Sequence, residues 1–199
     1  MTLSALPNPL PAMWEAFETS ESALKVAMKA IRQPHSQKVD CQDELFKYQR
    51  RLLNKTTLFP IPTDAESLIT NSEIESQDLF ILGLWATFER FIRMYLQQKS
   101  LVIQQYVQPA TLGHSFYQYL YKEIEFWKPT EILDFLKESL FTTPSDRHLI
   151  GLAKQILAYR DWVGHGKNPH KLPSATHLKP KQAYDALNQI IKTLLQHYP

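Results

Sequence analysis

The chain has little of what would staple it covalently or place it in a membrane. Among its 199 residues there is one cysteine, Cys41, which excludes an intramolecular disulfide and argues against a cysteine-built zinc site. A lone thiol suits a reducing compartment. The start, Met1-Thr2-Leu3-Ser4, also lacks the basic run that opens a secretory signal, so a cytoplasmic location is expected. No apolar run reaches the roughly 18 residues that span a bilayer. The densest, Leu79 to Ala86, is soon interrupted by Glu89, Arg90 and Arg93, and no membrane partner is expected. A net charge of +2 is too small to argue for nucleic acid by itself, though it leaves room for a local basic patch. Glycine is scarce, at 5 residues, and Leu, Ile, Gln, Lys and Glu are plentiful, which favours helix over sheet. No repeat, heptad array or low-complexity tract is present.

What is there reads as helices punctuated by proline. Pro11 opens a first helix carrying Trp14, Phe17, Leu24, Met28 and Ile31 at helical spacing. A loop from Pro34 to Asp40 and a shorter helix through Leu45, Tyr48 and Leu52 follow. Phe59-Pro60-Ile61-Pro62 reads as extended, because each proline disfavours the α region for its predecessor. The longest helix is expected from near Ser72, with Asn71 or Ser72 as cap, to about Lys99. Thr87, Arg90, Arg93 and Gln97 form its polar stripe, and its apolar face is wide enough for a central bundle helix. Further helices are expected over Ser115–Phe126, Thr130–Leu140, Arg147 to about Trp162, and from about Lys181 to the end. The last carries Ala183, Leu187, Ile190, Ile191 and Leu194 on one face. The expected architecture is an all-α antiparallel helical bundle over 71–199, with an N-terminal helical extension, 1–70, packed on it.

One helix carries a feature that composition does not explain. Leu149, Leu152, Ala153, Ile156 and Val163 define an apolar stripe, and Arg160 falls near its centre. An inward guanidinium has to be paired or has to line a cleft or interface. Asp161 stands at the stripe's edge. Gly164 and Gly166 end the helix and leave His165 in a turn close to the arginine, so an arginine, an acid and a histidine meet at one helix end. The plainer alternative is that His165 and Lys167 complement the helix dipole while Arg160 pairs with Asp161 or a core carboxylate.

The string Ile156-Leu157-Ala158-Tyr159-Arg160-Asp161-Trp162-Val163-Gly164-His165-Gly166 resembles the signature of the HEPN superfamily of small all-α ribonucleases. In that signature an arginine is followed by Asn, Asp or His, and by a histidine four to six residues after the arginine, at the end of a bundle helix. Leu84 to Arg93 also resembles the long first core helix of several HEPN families, and the likeness runs from about Ser72 to His197. The resemblance implies metal-independent RNA cleavage that leaves a 2′,3′-cyclic phosphate, with Arg160 and His165 as the catalytic pair and Asp161 orienting them. It also implies no cofactor, a homodimer with a composite site, and a toxin or defence setting with an antitoxin or regulatory partner. A subset of these toxins carries tyrosine two residues after the histidine, where an antitoxin modifies it; Lys167 stands there and argues against that control.

The chemistry suits the residues. Charge developing on phosphoryl oxygens favours an arginine, and an imidazole near its ordinary pKa serves as general acid or base around neutrality. Lys167, Asn168, His170 and Lys171 form a basic-polar loop beside the motif, suited to phosphate contact with RNA, or else to plain solvation. Glu89 is positioned to orient Arg160 or, more simply, to pair with Arg93 at i+4. His114, His148, His170, His177 and His197 have no metal-ligand spacing with acids or cysteines, so no metal is expected. Tyr117, Tyr119 and Tyr121 suit stacking on bases or filling of the core rim. Two other readings remain: a catalytically silent HEPN module that binds RNA, nucleotide or protein, and a purely structural helical protein.

Overall fold

The computed structural model describes residues 6–32, 48, 51 and 65–198. Among the described residues the regular structure is helical: α1 Leu10–Arg32, α2 Ala65–Ser100, α3 Val102–Tyr106, α4 Ala110–Glu123, α5 Pro129–Ser139, α6 Pro144–Gly164 and α7 Pro180–His197. No helix among them is long and apolar enough to cross a membrane. The fold is all-α, a helical bundle. Cys41, the loop at 34–40 and the extended segment at 59–62 lie outside the described residues, as does most of the helix expected through Leu45, of which Tyr48 and Arg51 are helical.

Of the described residues, those up to Met13 and from Asp78 onward form one compact unit, and those from Trp14 to Gln77 form another. In the second unit Phe17, Ala65 and Ile69 are buried, Trp14 and Phe17 stand ring to ring at 5.6 Å, and Gln77 Nε2 donates to Glu21 Oε1 at 3.2 Å. In the first, the core is built from periodic apolar positions. Ile81, Leu84, Trp85, Phe88 and Ile92 of α2 are buried, as are Ile132, Leu133 and Leu136 of α5. So are Ile150, Ala153, Ile156 and Leu157 of α6, and Ala183, Leu187, Ile190, Ile191 and Leu194 of α7. The α7 face is the one its sequence spacing predicts. α5 packs on α6 and α6 on α7, while α3 folds back on α4. Gly113 permits that last approach, since a Cβ there would stand 2.9 Å from the Val107 carbonyl.

Several boundaries differ from the sequence reading. α3 is not among the expected helices, and α4 runs Ala110–Glu123 rather than Ser115–Phe126. α2 begins at Ala65, not near Ser72, because Ser72 turns its hydroxyl back to the Leu68 carbonyl at 2.8 Å instead of capping. The motif helix begins at Pro144, with Thr143 as N-cap accepting from the Asp146 amide.

The expected solvent stripe of α2 is also corrected. Arg90 is exposed, but Arg93, only 8% exposed, and Gln97 are buried. Arg93 meets Glu89 at 2.6 Å and donates to the carbonyls of Ile124, Glu125 and Trp127 at 2.5, 3.1 and 2.8 Å. Gln97 Nε2 donates to the Tyr121 carbonyl and to Glu125 Oε1, both at 3.0 Å. These groups satisfy the carbonyls left open where α4 ends.

Candidate functional site

α6 ends in a cap that sets the geometry of the motif. His165 N donates to the Asp161 carbonyl, Gly166 N to Val163 and Lys167 N to Trp162, at 3.0, 3.0 and 2.9 Å. The turn needs two left-handed residues, Gly166 at φ 78° and Lys167 at φ 56°. Glycine accommodates this freely, whereas a lysine there needs the surroundings to hold it. The hold is visible. Lys167 Nζ stands 2.6 Å from Asp78 Oδ2, and Asp78 is 4% exposed. Asp78 also accepts from the Tyr159 hydroxyl at 2.5 Å. A buried carboxylate is thereby paired and hydrogen-bonded, and the chain after His165 is tied down to α2.

His165 is exposed, and its ring Nδ1 lies 2.6 Å from the Asp161 carbonyl. A carbonyl only accepts, so Nδ1 carries the proton and Nε2 keeps the lone pair of the neutral ring. Along α6, Ala158, Asp161, Trp162 and His165 share one flank. Together with Asn168, Lys171 and Pro173 they line a cleft of about 520 Å³. Trp162 Nε1 donates to the Asn168 carbonyl at 3.0 Å, which fixes the indole as a wall. The Asn168 side chain accepts from the His170 amide at 2.9 Å and so shapes the loop.

Of the residues singled out from the sequence, the cleft gathers Asp161, His165, Asn168 and Lys171. Three others stand elsewhere. Lys167 is engaged with Asp78, His170 takes part through its backbone, and Arg160 is not among the lining residues. Arg160 follows Ala153 and Ile156 round the helix, but its side chain is 35% exposed and pairs with Asp161 Oδ1 at 2.8 Å. Five residues along a helix is some 140° of rotation at about 100° per residue, so Arg160 and His165 leave α6 on different flanks. Glu89 meets Arg93 and Trp85 Nε1. Asp78 and Trp162 are the structural partners that the sequence reading gave no role. Nothing in the sequence signals Asp78, which meets Tyr159 across 81 positions. Trp162 lay in the motif, one turn before His165, and its spacing from Ala158 and His165 marks it as a wall of the same flank.

Among the described residues no group of three or more His, Cys, Asp or Glu side chains is placed to hold a metal ion. Comparison with known protein families, with curated proteins and with solved structures found no match to this chain.

Proposed function

We propose that the protein is a metal-independent endoribonuclease of HEPN type, in which His165 and Arg160 act on the phosphodiester. The observation that carries this reading is the cleft at the end of α6. It presents a histidine whose Nε2 is left as the basic nitrogen, beside Asn168 and the cation of Lys171. In this reading Nε2 accepts the proton of a ribose 2′-OH as its oxygen attacks the adjacent phosphorus. The 5′-oxygen of the next nucleotide leaves and takes a proton, which yields a 2′,3′-cyclic phosphate and a 5′-hydroxyl. Arg160 stabilises the charge that develops on the phosphoryl oxygens.

The flank on which Arg160 stands supports a homodimer. Arg160 pairs with Asp161 at the border of the cleft but is not among the residues that line it with His165, which leaves room for the arginine that completes a site to come from a second copy across a two-fold axis. A toxin or defence role in the cytoplasm, held in check by a partner protein, follows from the resemblance alone. The Arg160–Asp161 pair favours a second reading, a catalytically silent module in which both groups serve binding. Incubating purified protein with transfer and messenger RNA in EDTA, beside His165→Ala, decides between them. Cleavage by the wild type alone is expected; RNA bound but uncut by the wild type selects the silent module.

A further inference from the structure

The cleft at the end of α6 has an aromatic wall that the proton-transfer chemistry leaves unused. Beside His165, Trp162 is the one large ring among the residues that line it. Its indole is held from two sides. Nε1 donates to the Asn168 carbonyl at 3.0 Å, and the same oxygen accepts from the Lys171 amide at 3.1 Å, so the ring is tied to the loop that carries the cleft's cation. Tyr159, which is buried and does not line the cleft, stands ring to ring with it at 5.7 Å. The Tyr159 hydroxyl is in turn bonded to buried Asp78 at 2.5 Å. An indole has one donor and no acceptor, and here that donor is spent. What Trp162 still offers a ligand is its π surface, already fixed in place before anything binds.

A wall of this kind suits a flat partner. Every nucleobase has a π face, so stacking on an aromatic side chain tolerates any sequence and strengthens binding by about tenfold per base. The rest of the cleft fits the other parts of a nucleotide. Among the described residues no ion pair holds the Lys171 ammonium, which leaves it to a phosphate. The space, about 520 Å³, is in the range of small-molecule sites, roughly 300–1,000 Å³. A base inside a duplex is already stacked on both faces by its neighbours, so the occupant is a base out of the helix. We propose that Trp162 is the base-binding wall of the α6 cleft, against which one unpaired nucleobase stacks while Lys171 holds a neighbouring phosphate. This subsite rests on the RNA reading of the cleft and makes Trp162 the residue that selects an unpaired strand.

Two probes that lack a free 2′-OH, and so cannot be cut, test it on the full chain. One is a short 2′-O-methyl oligoadenylate; the other is a backbone of the same length built from abasic phosphates. Fluorescence anisotropy of an end label follows binding, and circular dichroism checks that each variant is folded. Wild type is expected to bind the oligoadenylate about tenfold more tightly than the abasic strand. Trp162→Leu should remove that preference and leave the affinity for the abasic strand within about twofold. Lys171→Glu should weaken both probes alike, since a phosphate contact is blind to the base. A tryptophan that only pins the loop would lose both probes equally in Trp162→Leu, and that result would overturn the proposal. Equal binding of the two probes by wild type, an arm that needs no variant to fold, would overturn it too. Cleavage of RNA in EDTA is scored separately. A chain that cuts RNA but shows no preference for bases loses the base wall and keeps the nuclease; one that shows the preference without cutting keeps the wall as part of the silent module.

Discussion

Arg93 and Arg160 have the same side chain, each on a helix of the bundle, and the fold uses them in opposite ways. Arg93 is 8% exposed and has a carboxylate and three backbone carbonyls around it. Among the described residues Arg160 pairs with Asp161, next to it in sequence, and its side chain is about a third exposed. Arg93 spends its donors on Glu89 and three carbonyls, whereas among the described residues the partner shown for Arg160 is Asp161. A guanidinium has five donors. Where the fold consumes them the residue is a strut, and where it leaves them open the residue is available to a phosphate. Two ends of the bundle are therefore built on different terms, one around polar struts and the other around a cap that leaves His165 and Arg160 outward.

The contrast can be broken most severely at the strut. Arg93→Met should cost about 3–5 kcal/mol, because it strips one side of a buried ion pair and unties three carbonyls. Urea denaturation checks this. A loss under 1 kcal/mol would reduce Arg93 to a surface residue. Next is the anchor of the α6 cap. Lys167→Glu sets a second carboxylate beside buried Asp78 and should cost about 2–4 kcal/mol. Lys171→Glu, at the cleft, should leave stability within about 0.5 kcal/mol. If the two variants denature alike, Asp78 does not hold the cap.

A pH experiment sharpens the strut end. Burial, and then the neighbouring Tyr198, push the Tyr95 phenol up to about 12 from its ordinary 10.0. The folded state thus favours the protonated form. Its contribution is complete below about pH 10 and is lost as pH rises through 12. Two units correspond to about 2–3 kcal/mol at ~1.4 kcal/mol each. Tyr95→Phe should flatten the fall in stability over that window, and an unchanged slope counts against it. At the acid end, burial opposes ionisation of Glu125. Hydrogen bonds from Arg90 and Gln97 outweigh it and hold the carboxyl below its usual value. The smallest effect on folding is expected at Arg160. Arg160→Ala should change stability by less than about 1 kcal/mol, as exposed pairs do, while it abolishes RNA cleavage. A large loss of stability would make it a second strut.

Much of this was legible in the sequence. The α7 face, from Ala183 to Leu194, follows from spacing alone, since a helix with one buried stripe writes its period into the chain. The cap after His165 was announced by Gly164 and Gly166, and Asp161, His165, Asn168 and Lys171 do share a cleft. What could not be read depends on partners distant in sequence. Arg93 and Gln97 look like a solvent stripe until the carbonyls of 121–127 are brought over them. Lys167 looks like a loop cation until Asp78 is placed beneath it. Arg160 continues the stripe and so reads as inward from the sequence. At the last turn of a helix the stripe runs past the core, and a residue in register with it emerges at the edge. The early start of α2 was hidden by Asn71 and Ser72, which suit a cap locally but not in a helix already under way.

In the proposed dimer a complete site takes His165 from one copy and Arg160 from another. Mixing the Arg160→Ala and His165→Ala proteins under conditions of subunit exchange, with RNA in EDTA, tests it directly. Neither variant alone should cut. The mixture should, because each mixed pair contains one site with both groups intact, and the new ends should be 2′,3′-cyclic phosphates. A mixture that stays inactive beside an active wild type would place both groups in one chain, and cleavage by either variant alone would remove that group from the chemistry.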